Sequence, residues 1–287
     1  MDPLVVALVL ASAAIHPVWY ALVKRDPDPD AAYLAVNGGI VVASFIHALF
    51  AGVDILAALA YWPLLALSLL GQIGYGLAVV AVLKRGDLSA YYPIIRSSPL
   101  AIVAIGFLFL GETFAPVLLL GIGLVLIGAI ALQYRRGARL LAEPVNFALA
   151  TGALVSSAVY AIVDGRLVQH MHPTLVLFWS QIGFLPLYAA IIRRTQPGWR
   201  LGFPLITWAN APWRYLPLGP MAYASYYLIL TAYSLGANIA AVNSVRQVAI
   251  PLSVFIGGMW LAEGAMWRRL GAALVLAAGV VVIALSR

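Results

Sequence analysis

The sequence predicts an all-α integral membrane protein with ten transmembrane helices in two inverted five-helix repeats. Three observations lead there. The 287 residues are 64% hydrophobic and only 9% charged, with a mean hydropathy of +0.99, whereas a soluble domain carries about 25% charged residues. Apolar runs recur at the length of roughly 20 residues that a bilayer demands. Short stretches of the first half return in the second, on the opposite side of the membrane by their charges.

The helices are expected at 3–23, 31–50, 63–83, 89–110, 115–134, 145–168, 173–192, 215–235, 240–262 and 268–286. Helix 1 follows directly on Met1-Asp2-Pro3 and ends at Lys24-Arg25, with no basic leader and no small-residue cleavage site, so no cleavable signal is expected. Helix 3 contains "GQIGYG" (71–76). The stretch resembles a nucleotide fingerprint, but it lies mid-span with no strand before it and reads as close helix packing, as does Asn37-Gly38-Gly39. Helix 4 contains "YYPIIRSSPL" (91–100), with an arginine and two prolines in an apolar setting. Most loops are under ten residues. The exception, 193–214, holds Trp199, Trp208 and Trp213 and reads as an interfacial segment, with a substrate portal as the alternative. There is no cysteine, hence no disulfide or thiolate metal site. The net charge of +7 does not indicate nucleic acid, because the basic residues sit in short loops between apolar runs.

The repeats are read from matches in the same order. Residues 84–96, "KRGDLSAYYPIIR", align with 234–246, "SLGANIAAVNSVR", so that Arg96 falls on Arg246. "YALV" (20–23) matches "YAIV" (160–163), and "LGE" (110–112) matches "LAE" (261–263). The repeats are placed at 1–140 and 141–287. Five spans per half is an odd number, so the second half must enter inverted. Loops 1–2, 3–4, 5–6, 7–8 and 9–10 share one side, here side A. Side A holds thirteen Lys/Arg and side B only Arg166 and Arg287. An inverted repeat is a common transporter architecture with its site at the repeat interface. By the positive-inside rule side A is cytoplasmic, which leaves both termini periplasmic in a multi-pass protein of the bacterial inner membrane.

At this point the residues resemble a known family. "HPVWYALVK" (16–24), "YYPIIRSSPLAIVAIGFLFLGE" (91–112) and "NSVRQVAIPLSVFIGGMWLAE" (243–263), with a glycine-rich last helix, are similar to the EamA-type transporters of the drug/metabolite transporter superfamily. The resemblance spans nearly the whole chain. It implies ten helices in inverted repeats and movement of small metabolites, often outward, without naming one. Several relatives are drawn with cytoplasmic termini; the charges here argue the reverse.

The buried polar groups supply the candidate site. Arg96 and Arg246 each lie roughly 10 Å inside opposite faces, at about 1.5 Å per residue. An arginine at such depth costs ~2.5–3.5 kcal/mol or more, so it should face the bundle interior or water. Pro99 and Pro251 follow, and both open backbone carbonyls, which is tolerable only where they line protein or a cavity. The plainer alternative is a structural arginine that caps carbonyls or meets a fixed carboxylate. The expected substrate-binding set is Arg96, Arg246, His16, Trp19, Tyr20, Tyr75, Tyr92, Tyr226, Tyr227 and Asn243. All ten acids fall at or near helix ends or in loops, so the cavity is expected to hold two arginines and no deep acid, and to attract anions. Proton coupling through a carboxylate then has no candidate, and His16 is the only substitute in helix 1. Glu112 and Glu263 are expected to cap the helices that follow them.

No nucleophile with its base, paired carboxylates or metal cluster emerges, so an enzyme is not expected and no cofactor is implied. The expected function is a secondary transporter of a small anionic or zwitterionic metabolite, working by alternating access. Its expected partners are the solute and membrane lipids, with no nucleic acid, as a monomer or homodimer. The alternative is a flippase for an anionic lipid or lipid-linked phosphate.

Overall fold

The computed structural model describes residues 2–97, 116–133, 143–196, 198–199, 210, 212–237, 242 and 245–285. Ten helices of at least eight residues lie within them: α1 Pro3–Arg25, α2 Pro29–Phe50, α3 Trp62–Arg85, α4 Leu88–Ile95, α5 Pro116–Gln133, α6 Pro144–Leu167, α7 Pro173–Thr195, α8 Leu218–Ser234, α9 Ala249–Trp260 and α10 Met266–Leu285. Several begin at proline, whose missing N–H costs nothing in a first turn. Side chains satisfy some of the remaining first-turn amides: Asp2 accepts from Leu4 N–H at 2.7 Å and Asp28 from Ala31 N–H at 3.1 Å. A 3-10 turn, Leu56–Tyr61, leads into α3.

Two helices depart from expectation. The span expected at 89–110 is described only as α4, which ends at Ile95 with Arg96 at its C-cap. The span expected at 240–262 is interrupted by a turn at Gln247 and Val248, with Val245 and Arg246 helical before it and α9 starting at Ala249. Both repeat-equivalent arginines therefore stand where regular helix gives way.

The packing is symmetric. α5 packs on α10, α2 on α7 and α4 on α9, each a pair of counterparts five places apart. α3 packs on α6 as α8 does on α1, and α1 on α9 as α6 does on α4. This is the pattern of two five-helix repeats about a pseudo-twofold axis. The boundary expected at residue 140 lies outside the described residues.

The loops sort by side as an up-and-down bundle requires. Asp26 of the 1–2 loop meets Arg214 of the 7–8 segment at 2.9 Å. Lys24 meets Glu263 of the 9–10 loop at 2.9 Å, and Arg269 meets Asp87 of the 3–4 loop at 2.5 Å. At the other end, His170 of the 6–7 loop stacks on Tyr61, and Gln169 donates to the Tyr233 carbonyl at 3.2 Å, where α8 is ending. The 3–4 loop and its counterpart 8–9 thus lie at opposite ends, so the repeats are inverted. Five of the described helical segments are long and apolar enough to cross a membrane. Their outer faces carry exposed Val42, Ile46, Leu49, Leu67 and Leu70, which suits lipid and not water.

The glycine stretches do what their positions imply. A Cβ on Gly39 would stand 2.4 Å from the Gly219 Cα, so α2 and α8 touch at bare backbone. A Cβ on Gly71 would stand 3.1 Å from the Tyr160 Cβ, and one on Gly76 2.9 Å from Phe184. "GQIGYG" is a packing surface against α6 and α7.

Candidate functional site

α1, α2, α3, α6, α7 and α8, with Arg246 just ahead of α9, enclose a central cavity of about 40 Å³. That is room for a few waters, each needing at least ~10–15 Å³ by this measure. Any larger solute requires its walls to part.

The walls are aromatic. Trp19, Tyr33, Tyr75, Tyr160, Phe184 and Tyr226 line them. The Trp19 and Tyr20 rings lie 3.9 Å apart, and Tyr20 meets Tyr92 of α4 edge-on at 5.4 Å. The Tyr20 hydroxyl bonds that of Tyr75, whose ring meets Tyr160 at 5.5 Å. His16 sits edge-on to Trp19 and to Tyr226, both at 5.1 Å, and its Nδ1 bonds Ser225 Oγ at 2.9 Å. Aromatic bodies with polar tips suit such a wall, since each buried tip seeks a partner.

Many of those tips have none. His16 Nε2, Trp19 Nε1, Tyr92 Oη, Gln181 Oε1 and Arg246 Nε are buried without a hydrogen-bond partner. Buried polar groups are nearly always satisfied, so a cluster of exceptions around one cavity marks a place for a polar ligand or water. Arg246 is 9% exposed and forms no ion pair among the described residues. Arg96 is half-buried, with its guanidinium 6.0 Å from the Tyr92 ring centre.

The sequence-derived set thus separates. Arg246, Trp19, Tyr75 and Tyr226 line the cavity, and His16, Tyr20, Tyr92 and Arg96 stand in contact behind them. Tyr227 turns elsewhere. It stacks on Tyr223 and packs at 4.8 Å from His47, whose Nδ1 bonds the Tyr223 hydroxyl at 2.6 Å. His172 completes that side B cluster, and burial together with His47 holds its imidazole below the usual range. Asn243 lies outside the described residues.

Two expectations need correction. The cavity does hold an acid: Asp164, 6% exposed, lines it and accepts from Ser68 Oγ at 2.5 Å. It is three residues from the end of α6, as expected of an acid here, but its side chain turns inward. Glu263 does not cap the helix that follows it. It accepts from Leu88 N–H and Ser89 N–H, both at 2.8 Å, and so caps α4 of the other repeat. Glu112 lies outside the described residues.

Sequence reasoning also missed Tyr33 and Phe184. Asp164 had a signal: it follows Tyr160 by four residues, which puts both on one helix face.

Residues 3–134 match the model of the EamA-like transporter family. Among curated proteins none matches the sequence. A solved crystal structure of a protein 19% identical to this chain superposes with a TM-score of 0.64, covering 99% of this chain and 96% of its own. That likeness shows a shared fold over the full length. Over residues 3–134, just under half of the chain, the sequence is thus similar to the EamA-like transporter family.

Proposed function

We propose that the protein carries a small metabolite bearing an anionic group across the bacterial inner membrane by alternating access, with side A cytoplasmic and both termini periplasmic. The supporting observation is Arg246, a buried guanidinium in the cavity wall with an unpartnered Nε and no ion pair among the described residues. A guanidinium can hold a carboxylate or phosphate by two parallel hydrogen bonds. Trp19 and Tyr92 offer further free N–H and O–H donors beside it.

The contracted cavity fits one state of such a cycle. The ion pairs of side A, Lys24–Glu263, Arg214–Asp26 and Arg269–Asp87, tie the helix ends together there. Opening to the cytoplasm requires them to part, whereas side B is held by aromatic and histidine contacts. The apolar groove between α2 and α8 shares no lining residue with the cavity, so it provides no lipid doorway of the kind a flippase needs.

The test is a thermal-shift screen of purified protein against carboxylates, phosphates, amino acids and amines. Anion-bearing compounds should raise the Tm of the wild type and not that of Arg246→Ala. Stabilisation by simple amines alone would contradict the reading.

A further inference from the structure

Two charged residues line the central cavity, Arg246 and Asp164, and Arg96 stands behind its wall. Arg96, Arg246 and Asp164 take part in no ion pair among the described residues. The contrast with side A is sharp. There Asp26 meets Arg214, Asp30 meets Lys84, Asp87 meets Arg269 and Glu263 meets Lys24. A carboxylate out of water is costly unless it is paired. Asp164 has a hydroxyl where the others have a cation.

The hydrogen bonds around it run in one direction. Gln181 Nε2 donates to Gln72 Oε1, Gln72 Nε2 donates to Ser68 Oγ at 3.1 Å, and Ser68 Oγ donates to Asp164 Oδ1 at 2.5 Å. Each member of this chain directs one donor toward Asp164, and each carboxamide keeps a second N–H. The lining there offers acceptors without a cation: the Asp164 carboxylate and the free Oε1 of Gln181, itself 4% exposed. The arginine part of the wall is the reverse, with free donors on Arg246 and Trp19 in the lining and on Tyr92 behind it. One cavity thus presents acceptors on α6 and α7 and donors at Trp19 of α1 and at Arg246.

We infer that Asp164 and Gln181 form a subsite for a cationic N–H-bearing group, so that the solute is a zwitterion and not a plain anion. This rests on the carrier reading given above. The ammonium of the solute neutralises Asp164 and donates to Gln181 Oε1, while its carboxylate or phosphate takes the guanidinium. The aromatic faces of Tyr160 and Tyr226 add attraction for the cation. Asp164 acts as a specificity-determining residue: it rejects solutes that lack the cation, because they leave the carboxylate buried and uncompensated.

The experiment compares matched triads at neutral pH with full-length protein in detergent. The probes are alanine, glutamine and phenylalanine, their N-acetyl acids and their decarboxylated amines, read by thermal shift and calorimetry. At least one zwitterion should bind about tenfold or more tightly than its N-acetyl acid, the loss expected when a charge-assisted contact is removed. Asp164→Asn, which keeps the volume and one acceptor, should erase that preference while N-acetyl acids bind undiminished. Asp164→Glu should retain part of it. If anions bind and need Arg246 but show no preference for the zwitterion, this inference fails and the carrier reading stands. If Asp164→Asn abolishes proton-driven uptake yet keeps the preference, Asp164 carries a proton and the inference fails. Binding by no probe sinks both.

Discussion

Lys24 Nζ and Glu263 Oε1 lie 2.9 Å apart, joining the end of α1 in the first repeat to the loop after α9 in the second. The same carboxylate caps α4 through Leu88 and Ser89, and Arg269 approaches it at 3.7 Å. One acid thus fastens three helix ends on side A. Negative charge at a helix N-terminus is favourable, and here it is 9% exposed and little screened. Glu263→Gln keeps an acceptor and loses the charge, which should cost about 1–3 kcal/mol. The expected result is a Tm several degrees lower in detergent. An unchanged Tm with lost transport would assign Glu263 to the transport cycle instead.

Gly39 and Gly219 should tolerate nothing larger. A Cβ on either would stand 2.4 Å from the Cα of the other, which is impossible without moving α2 from α8. Overpacking of this kind costs about 1–3 kcal/mol or more. Gly219→Val should lower the yield of monodisperse protein, whereas Gly38→Ala, which meets nothing within 4 Å, should not. Equal behaviour of the two would contradict the described contact.

Orientation can be read directly, because the chain has no cysteine of its own. Thr195→Cys lies at the exposed end of α7 on side A, and Leu56→Cys, at a position 66% exposed, lies on side B. A membrane-impermeant maleimide should label Leu56→Cys from the periplasm and Thr195→Cys only after lysis. The opposite pattern would reverse the orientation and set the positive-inside bias aside.

The fold was legible because its determinants are coarse. Apolar length fixes the spans, loop charge fixes their sides, and the Arg96–Arg246 register fixes the repeat. The site was legible only in part. His16, Trp19 and Tyr20 lie within one turn or so on α1, so their clustering follows from helix geometry. Tyr226 and Tyr227 are adjacent and must point about 100° apart, so one alone can face the cavity; sequence offered no means to choose. Asp164 was passed over because a position near a helix end says nothing about which way a side chain turns. After the shared "YALV" and "YAIV", the repeats diverge to Lys24 and Asp164. The first found Glu263 and the second turned to the cavity, a difference set by partners distant in sequence. The Glu263 cap on α4 was hidden for the same reason, since its amides lie 175 and 174 residues away.

The central claim is that the guanidinium of Arg246, which forms no ion pair among the described residues, holds the anionic group of the carried solute. The most direct measurement is counterflow in proteoliposomes with a solute found to stabilise the wild type, comparing wild type, Arg246→Lys and Arg246→Ala, with folding checked by monodisperse chromatography. The account predicts weakened transport in Arg246→Lys, because a point charge replaces the bidentate fork, and a further loss in Arg246→Ala. Arg96, its counterpart in the other repeat, should follow the same order. A folded Arg246→Ala protein that transports the solute at the wild-type rate would make the arginine scaffolding and contradict the account.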